Sequence, residues 1–258
     1  MKLVIKICSK VLEDEPFLRT LADALDGLLK QGHRVMVVHG GSRIVSQVLA
    51  ETRNGATPHA NGNGVKDTTL MVLGGMVNKK LAGVLAAAGI PTFGLCGADG
   101  HIVRIRKLSN RLAEANVTAE VSTVNPTWLE AICDKGGVPV LANIAQGPDR
   151  QYHCLNSDQL AGACAISWNA DALIFLTDSN GLTDADGTVV RWLETKKIVE
   201  ITRGAALEPN MATKLEVCRR ALEHGVRRTR ILPLLQIESL ASFYFSRIDF
   251  GTEVIQAI

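Results

Sequence analysis

Two lysines and one aspartate stand in this chain where a charge needs an explanation. Lys6 ends the apolar run Leu3-Val4-Ile5-Lys6-Ile7, Asp158 lies in Asn156-Ser157-Asp158-Gln159, and Lys214 opens Lys214-Leu215-Glu216-Val217-Cys218. A lysine at the end of a buried strand must direct its ammonium toward something polar, unless its stem covers apolar surface while the head reaches water. Lys214 also reads as a surface helix lysine, and Asp158 as a carboxylate that favours a helix N-terminus. A further piece, His39-Gly40-Gly41-Ser42, follows the apolar run Arg34–Val38. A strand, glycines and then a helix leave backbone N–H groups aimed at an anion, and the helix dipole favours negative charge there. Two ammonium groups, one carboxylate and a glycine turn are the parts needed to move a phosphoryl group. Thr177-Asp178-Ser179-Asn180-Gly181-Leu182 follows the run Ala172–Leu176. It fits a crevice at the carboxyl ends of parallel strands, or a plain Asx-rich turn.

The elements that would position these groups alternate along the chain. Strands are expected at Leu3–Ile7, Arg34–Val38, Pro91–Leu95, Val138–Ile144, Ala172–Thr177, Arg230–Leu235 and Thr252–Ile255. Helices are expected at Phe17–Gln31, Arg43–Glu51, Thr68–Ala88, Asn125–Lys135, Asp158–Ala170 and Lys214–Glu223. In the first helix Leu18, Leu21, Leu25 and Leu28 share a face and Gly32 supplies a stop. Asn125 is a cap with Pro126 at the first helical position. Residues 54–64 hold three glycines, a proline and three asparagines and read as a loop. The alternation predicts an α/β protein, an open αβα sandwich with a mainly parallel central sheet. We expect an N-terminal lobe over 1–170 and a C-terminal lobe over 171–258 sharing that sheet.

Composition sets the outer limits. The 258 residues are 47% hydrophobic but only 4% aromatic, so aliphatic side chains must fill the interior, as in parallel strands buried on both faces. A net charge of +2 is too small for a nucleic-acid surface. The basic runs Arg219-Arg220 and Arg227-Arg228-Thr229-Arg230 read as a solvated helix face or an anion edge. Six cysteines without a C-x-x-C pair argue against zinc and for a reducing, cytoplasmic setting. No apolar run is expected to reach the length of a membrane span, and no leader is expected ahead of the first strand.

Taken in order, several segments resemble the amino-acid kinase family, especially its members that phosphorylate an acylated glutamate. They are Val4-Ile5-Lys6, Val37-Val38-His39-Gly40-Gly41, Val77-Asn78-Lys79-Lys80-Leu81, Gly94-Leu95-Cys96-Gly97-Ala98-Asp99-Gly100, Asn156 through Gly162, Leu176 through Leu182, Met211 with Lys214, and Phe250-Gly251-Thr252. The resemblance implies ATP-dependent phosphorylation of the γ-carboxylate of N-acetyl-L-glutamate in arginine biosynthesis. In it Lys6 and Lys214 neutralise the moving phosphoryl group and Asp158 orients both. It places Gly40, Gly41, His59, Cys154 and Asn156 at the acid. It places Cys8, Ser9, Asp178, Ser179, Asn180, Gly181, Leu182 and Met211 at ATP, with Mg²⁺ held mainly by the phosphates. It further implies a homodimer paired through the N-terminal lobe and, with the first strand starting at Leu3, no arginine-sensitive ring.

The chain departs from the family pattern near the acid and the phosphate. Cys8 and Ser9 stand where glycines are usual, and Ser42 replaces the third glycine of the turn. Pro209-Asn210 replaces a Gly-Gly. His59 occupies the place of an arginine for the substrate α-carboxylate, and Cys154 that of a substrate-contacting asparagine. A neutral imidazole cannot reproduce a guanidinium fork. These changes leave two further readings: a kinase for a different acylated amino acid, or a catalytically weak nucleotide-binding homologue.

Overall fold

The apolar runs assemble into one eight-stranded sheet in the computed structural model, which describes residues 1–54, 64–108, 117–204, 207–241 and 250–257. The first half of the chain forms β1 (Lys2–Ile7), α1 (Ser9–Glu13), α2 (Glu15–Lys30), β2 (Arg34–His39), α3 (Ser42–Asn54), α4 (Gly64–Leu70), a π-helical segment Met71–Val77, α5 (Asn78–Ala87), β3 (Thr92–Cys96), β4 (Val103–Lys107) and β5 (Ala119–Val124). The rest forms α6 (Thr127–Asp134), β6 (Val138–Ala142), β7 (Ile144–Gln146), β8 (Tyr152–Cys154), α7 (Ser157–Ser167), β9 (Ala172–Thr177), β10 (Trp192–Glu194), α8 (Thr195–Gly204), α9 (Pro209–Glu223), β11 (Arg228–Pro233) and β12 (Thr252–Ile255). The main sheet runs β10-β12-β11-β9-β1-β2-β6-β3 and is parallel except where β12 meets β11. Strands before residue 170 occupy one half of it and strands after residue 170 the other.

Side-chain alternation divides the core into two layers. Leu3, Ile5 and Ile7 of β1 pack with Leu18, Leu21 and Leu25 of α2 and Leu81 and Leu85 of α5. Val4 packs with Leu160 and Cys164 of α7 and Leu215, Cys218 and Leu222 of α9. Successive strand residues point to opposite faces, so Lys6 shares the face of Val4, the one covered by α7 and α9. The period of the first strand alone therefore directs Lys6 toward the helices that carry Asp158 and Lys214.

Several expectations shift. The expected strand Val138–Ile144 breaks at Asn143: Val138–Ala142 joins the main sheet, while β7 turns away to pair with β8. The antiparallel β4–β5 pair was not anticipated, although Val103 and Ile105 are buried while Arg104 and Arg106 are exposed, a period of two. β10 and α8 were not anticipated either. α9 starts at Pro209, five residues ahead of Lys214, because proline suits a first helical turn. The expected long helix over 68–88 contains π geometry at Met71–Val77, around Gly74 and Gly75. By length and mean hydropathy the helical run Val65–Ala87 does suffice to cross a membrane, contrary to expectation, yet Val72, Leu73, Val77, Leu81 and Leu85 lie in the core. Most of the expected 54–64 loop, with His59, lies outside the described residues.

Candidate active site

Lys6, Asp158 and Lys214 meet. Lys6 Nζ lies 2.6 Å from Asp158 Oδ1, and Lys214 Nζ donates a hydrogen bond to Asp158 Oδ2 at 2.9 Å. All three are buried, at 7%, 5% and 7% exposure. Each carboxylate oxygen of Asp158 thus faces one ammonium group. Burial pushes the Asp158 carboxyl up, but the Lys6 and Lys214 ammonium groups outweigh it and hold the carboxyl below its usual range. The cluster carries a net positive charge in a partly closed space, which suits an anion.

Local sequence builds this cluster from three elements. Lys6 is held in register between Val38 of β2 and Phe175 of β9. Asn156 caps α7: its side-chain oxygen accepts from the backbone N–H of Asp158 at 3.0 Å and of Gln159 at 3.1 Å. Asp158 is thereby fixed in the first turn. One turn further along, a β-carbon at Gly162 would collide with Val217, which itself lies one turn past Lys214. The missing side chain lets α7 and α9 approach closely and brings Asp158 and Lys214 together.

The glycine turn after β2 sits beside them. Gly41 has φ +151°, and a β-carbon there would stand 2.8 Å from Leu73 of the π segment. His39 is fully buried below the turn; its Nδ1–H donates to the Gly40 carbonyl at 2.9 Å and Nε2 accepts from Asn78 Nδ2 at 3.0 Å. Burial lowers the imidazole pKa to about 4; the hydrogen bond to the Gly40 carbonyl opposes it, and the nearby Lys6 charge adds a smaller lowering. His39 is a neutral brace for the turn.

The cluster forms the floor of a cleft of about 1040 Å³ at the carboxyl ends of β1, β2 and β9. One wall combines Asp178, Ser179, Gly181, Leu182 and Met211 with the apolar Val190, Ile201 and Leu207. The Leu182 N–H is tied to Thr252 Oγ1 at 2.8 Å, anchoring that turn to the last strand. The opposite wall has Gly40, Gly41, Arg43, Asn143, Cys154 and Asn156. Cys8 and Ser9 line the floor, but the Cys8 N–H already donates to the Leu176 carbonyl at 3.2 Å, so it is taken up within the sheet. Asn180 does not line the cleft, and His59 is outside the described residues. Sequence reasoning missed Asn143, whose Nδ2 donates to the Leu155 carbonyl at 2.6 Å and to Cys154 Sγ at 3.5 Å while its Oδ1 has no partner. The signal was a single amide interrupting an apolar run. Burial pushes the Cys154 thiol up to about 11, so it stays protonated.

The sequence profile of the amino acid kinase family matches residues 1–233. The chain is 39% identical to acetylglutamate kinase of Koribacter versatilis over 265 residues, covering 100% of each. It is 38% identical to that of Acidobacterium capsulatum over 259 residues, covering 99% of each. Among solved structures, N-acetylglutamate synthase from Neisseria gonorrhoeae with coenzyme A and N-acetyl-glutamate has a TM-score of 0.81 at 22% identity, the chain spanning 60% of its length. Carbamate kinase from Giardia lamblia bound to AMP-PNP has a TM-score of 0.68 at 12% identity, with 99% of this chain and 98% of that one covered. At these identities the two structures speak for the fold alone.

Proposed function

The chain belongs to the amino acid kinase family, and from that premise we propose that it transfers the γ-phosphoryl group of ATP to the γ-carboxylate of N-acetyl-L-glutamate, a step of arginine biosynthesis. The observation that carries the reading is the buried Lys6–Asp158–Lys214 cluster facing a cleft large enough for both substrates. In-line attack of one anion on another needs positioning and charge neutralisation more than covalent help. Lys6 stabilises the equatorial oxygens from the floor. Lys214 reaches them from the helix beside the nucleotide wall. Asp158 keeps both ammonium groups aimed without neutralising them fully. The turn at Gly40 and Gly41 offers its backbone N–H groups to the transferring group.

ATP occupies the wall formed by Asp178, Ser179, Gly181, Leu182 and Met211, whose apolar neighbours Val190, Ile201 and Leu207 suit a base. The C-terminal lobe, 171–258, supplies this wall, and the N-terminal lobe, 1–170, supplies the acid side. Both Asp158 oxygens are engaged by lysines, so Asp158 is no metal ligand. Mg²⁺ enters on the phosphates of ATP and keeps mainly phosphate and water oxygens around it. All six cysteines are free thiols, four of them buried, which suits a cytoplasmic protein. A homodimer through the N-terminal lobe is supported by exposed Met71 and Met76 on the π segment and Phe93 on edge strand β3.

A coupled ADP-release assay tests the reading. Turnover with N-acetyl-L-glutamate and Mg·ATP is expected, and none with free glutamate. Nucleotide binding without turnover on any acylated amino acid would favour the weak nucleotide-binding alternative. Light scattering at twice the chain mass tests the dimer.

A further inference from the structure

We infer that Arg43 binds the carboxylate of the acid that does not take the phosphoryl group. The inference rests on the kinase reading and deepens it. A dicarboxylate must bring one anion to phosphorus and settle the other against a cation. Among the described residues the cleft wall carries four cationic side chains, Lys6, Lys10, Arg43 and Lys214. Lys6 and Lys214 are engaged by Asp158 and the transferring group. Lys10 belongs to the short helix that directly follows β1, beside the phosphate floor. Arg43 is the second residue of α3, immediately after the Gly40-Gly41-Ser42 turn on the acid side.

The state of the Arg43 side chain supports this assignment. Its side chain is 67% exposed, and its ionic partner, Glu13, stands 3.6 Å from Nη2, beyond hydrogen-bond distance. Such a pair holds its members weakly and leaves the planar donor fork available. The first turn of the thirteen-residue α3 adds a favourable dipole for an anion at the same place. The same wall also offers Cys154, a protonated thiol, and the partnerless Oδ1 of Asn143, an acceptor. Neither attracts a carboxylate. His59, where the resemblance puts an arginine for this carboxylate, brings no fork. Arg43 supplies one from the helix after the glycine turn.

The test pairs a variant with a substrate change. Arg43→Ala should raise KM for N-acetyl-L-glutamate about 10- to 100-fold, with the loss falling on the acid rather than on ATP. Arg43→Lys, which keeps charge but not the fork, should recover only part of it. With the 1-carboxamide of N-acetylglutamate, wild type and Arg43→Ala should be alike, because the anion that Arg43 reads is gone. Equal losses on the acid and the amide, or no loss on either, would overturn the assignment. Calorimetric Kd values for the acid and its amide give the same comparison without turnover. A wild type that binds the acid through Arg43 yet releases no ADP would defeat the kinase reading and leave Arg43 standing. An active wild type with unchanged KM in Arg43→Ala would do the reverse.

Discussion

The floor and the acid wall of the cleft are built on opposite principles. On the floor every charge is buried and answered: one carboxylate between two ammonium groups, each fixed by a strand register or a capped helix. On the acid wall the polar groups are left open: Asn143 Oδ1 without a partner, Arg43 loosely paired, Cys154 protonated. A floor of this kind tolerates little change, because a buried charge that loses its partner is strongly destabilising. The acid wall can change residue by residue at small cost to the fold. Cys154, one of the departures from the family pattern, lies on this wall, whereas the departures on the floor, Cys8 and Ser9, leave its three charged residues untouched.

The sharpest way to break this contrast is Asp158→Asn. It leaves two ammonium groups facing each other without a carboxylate. We expect a loss of about 3–5 kcal/mol in urea unfolding and a fall in turnover of at least about 100-fold. A stable, active variant would mean that the floor is not held by its charges.

His39 tests whether the brace under the glycine turn belongs to the closed floor. Its folded pKa of about 4 lies below the ordinary 6.5. The unfolded chain therefore binds more protons in this range, and stability rises with pH. The contribution is fully present above about pH 6.5 and is lost as pH falls through about 4, to a total of about 3 kcal/mol. His39→Gln should flatten the stability profile in that window. An unchanged slope in urea titrations between those pH values would assign the effect to other groups.

Much of this division was readable in the chain before folding. A lysine that ends an apolar strand demands a polar partner, and Asp158 reads as a carboxylate at a helix N-terminus; the Asn156 cap that fixes it there is seen only in the structure. What could not be read is distance between elements. Gly162 opposite Val217 decides whether α7 and α9 close on each other, and nothing in the sequence pairs the two residues. Asn143 was hidden inside an apolar run, because the bend that takes β7 out of the main sheet depends on pairing with β8, ten residues further on. The β4–β5 pair shows its alternation, but the partners are separated by residues that carry no strand pattern. Local periodicity set the faces, and long-range packing set the contacts.

Gly162 sharpens the contrast at intermediate size. Gly162→Ala should force α7 from α9 and cost about 1–3 kcal/mol through overpacking, with a fall in turnover as Asp158 and Lys214 separate. A loss of stability without loss of turnover, read in the same preparations, would show that the two lysines tolerate slack.

Cys154→Ala probes the other side and should have the smallest effect. Asn143 Nδ2 keeps the Leu155 carbonyl at 2.6 Å when the sulfur is gone, so no donor is orphaned. The loss is that of a few buried contacts, about 1 kcal/mol in unfolding. A protonated thiol contributes no charge to an acid, so KM for N-acetyl-L-glutamate should stay within about threefold of wild type, far less than a lost charged contact would cost. A KM rise above about tenfold with unchanged stability would place acid recognition at Cys154 instead of Arg43. The acid wall would then be as tightly specified as the floor, and its departures from the family pattern would mark a changed substrate rather than a tolerant surface.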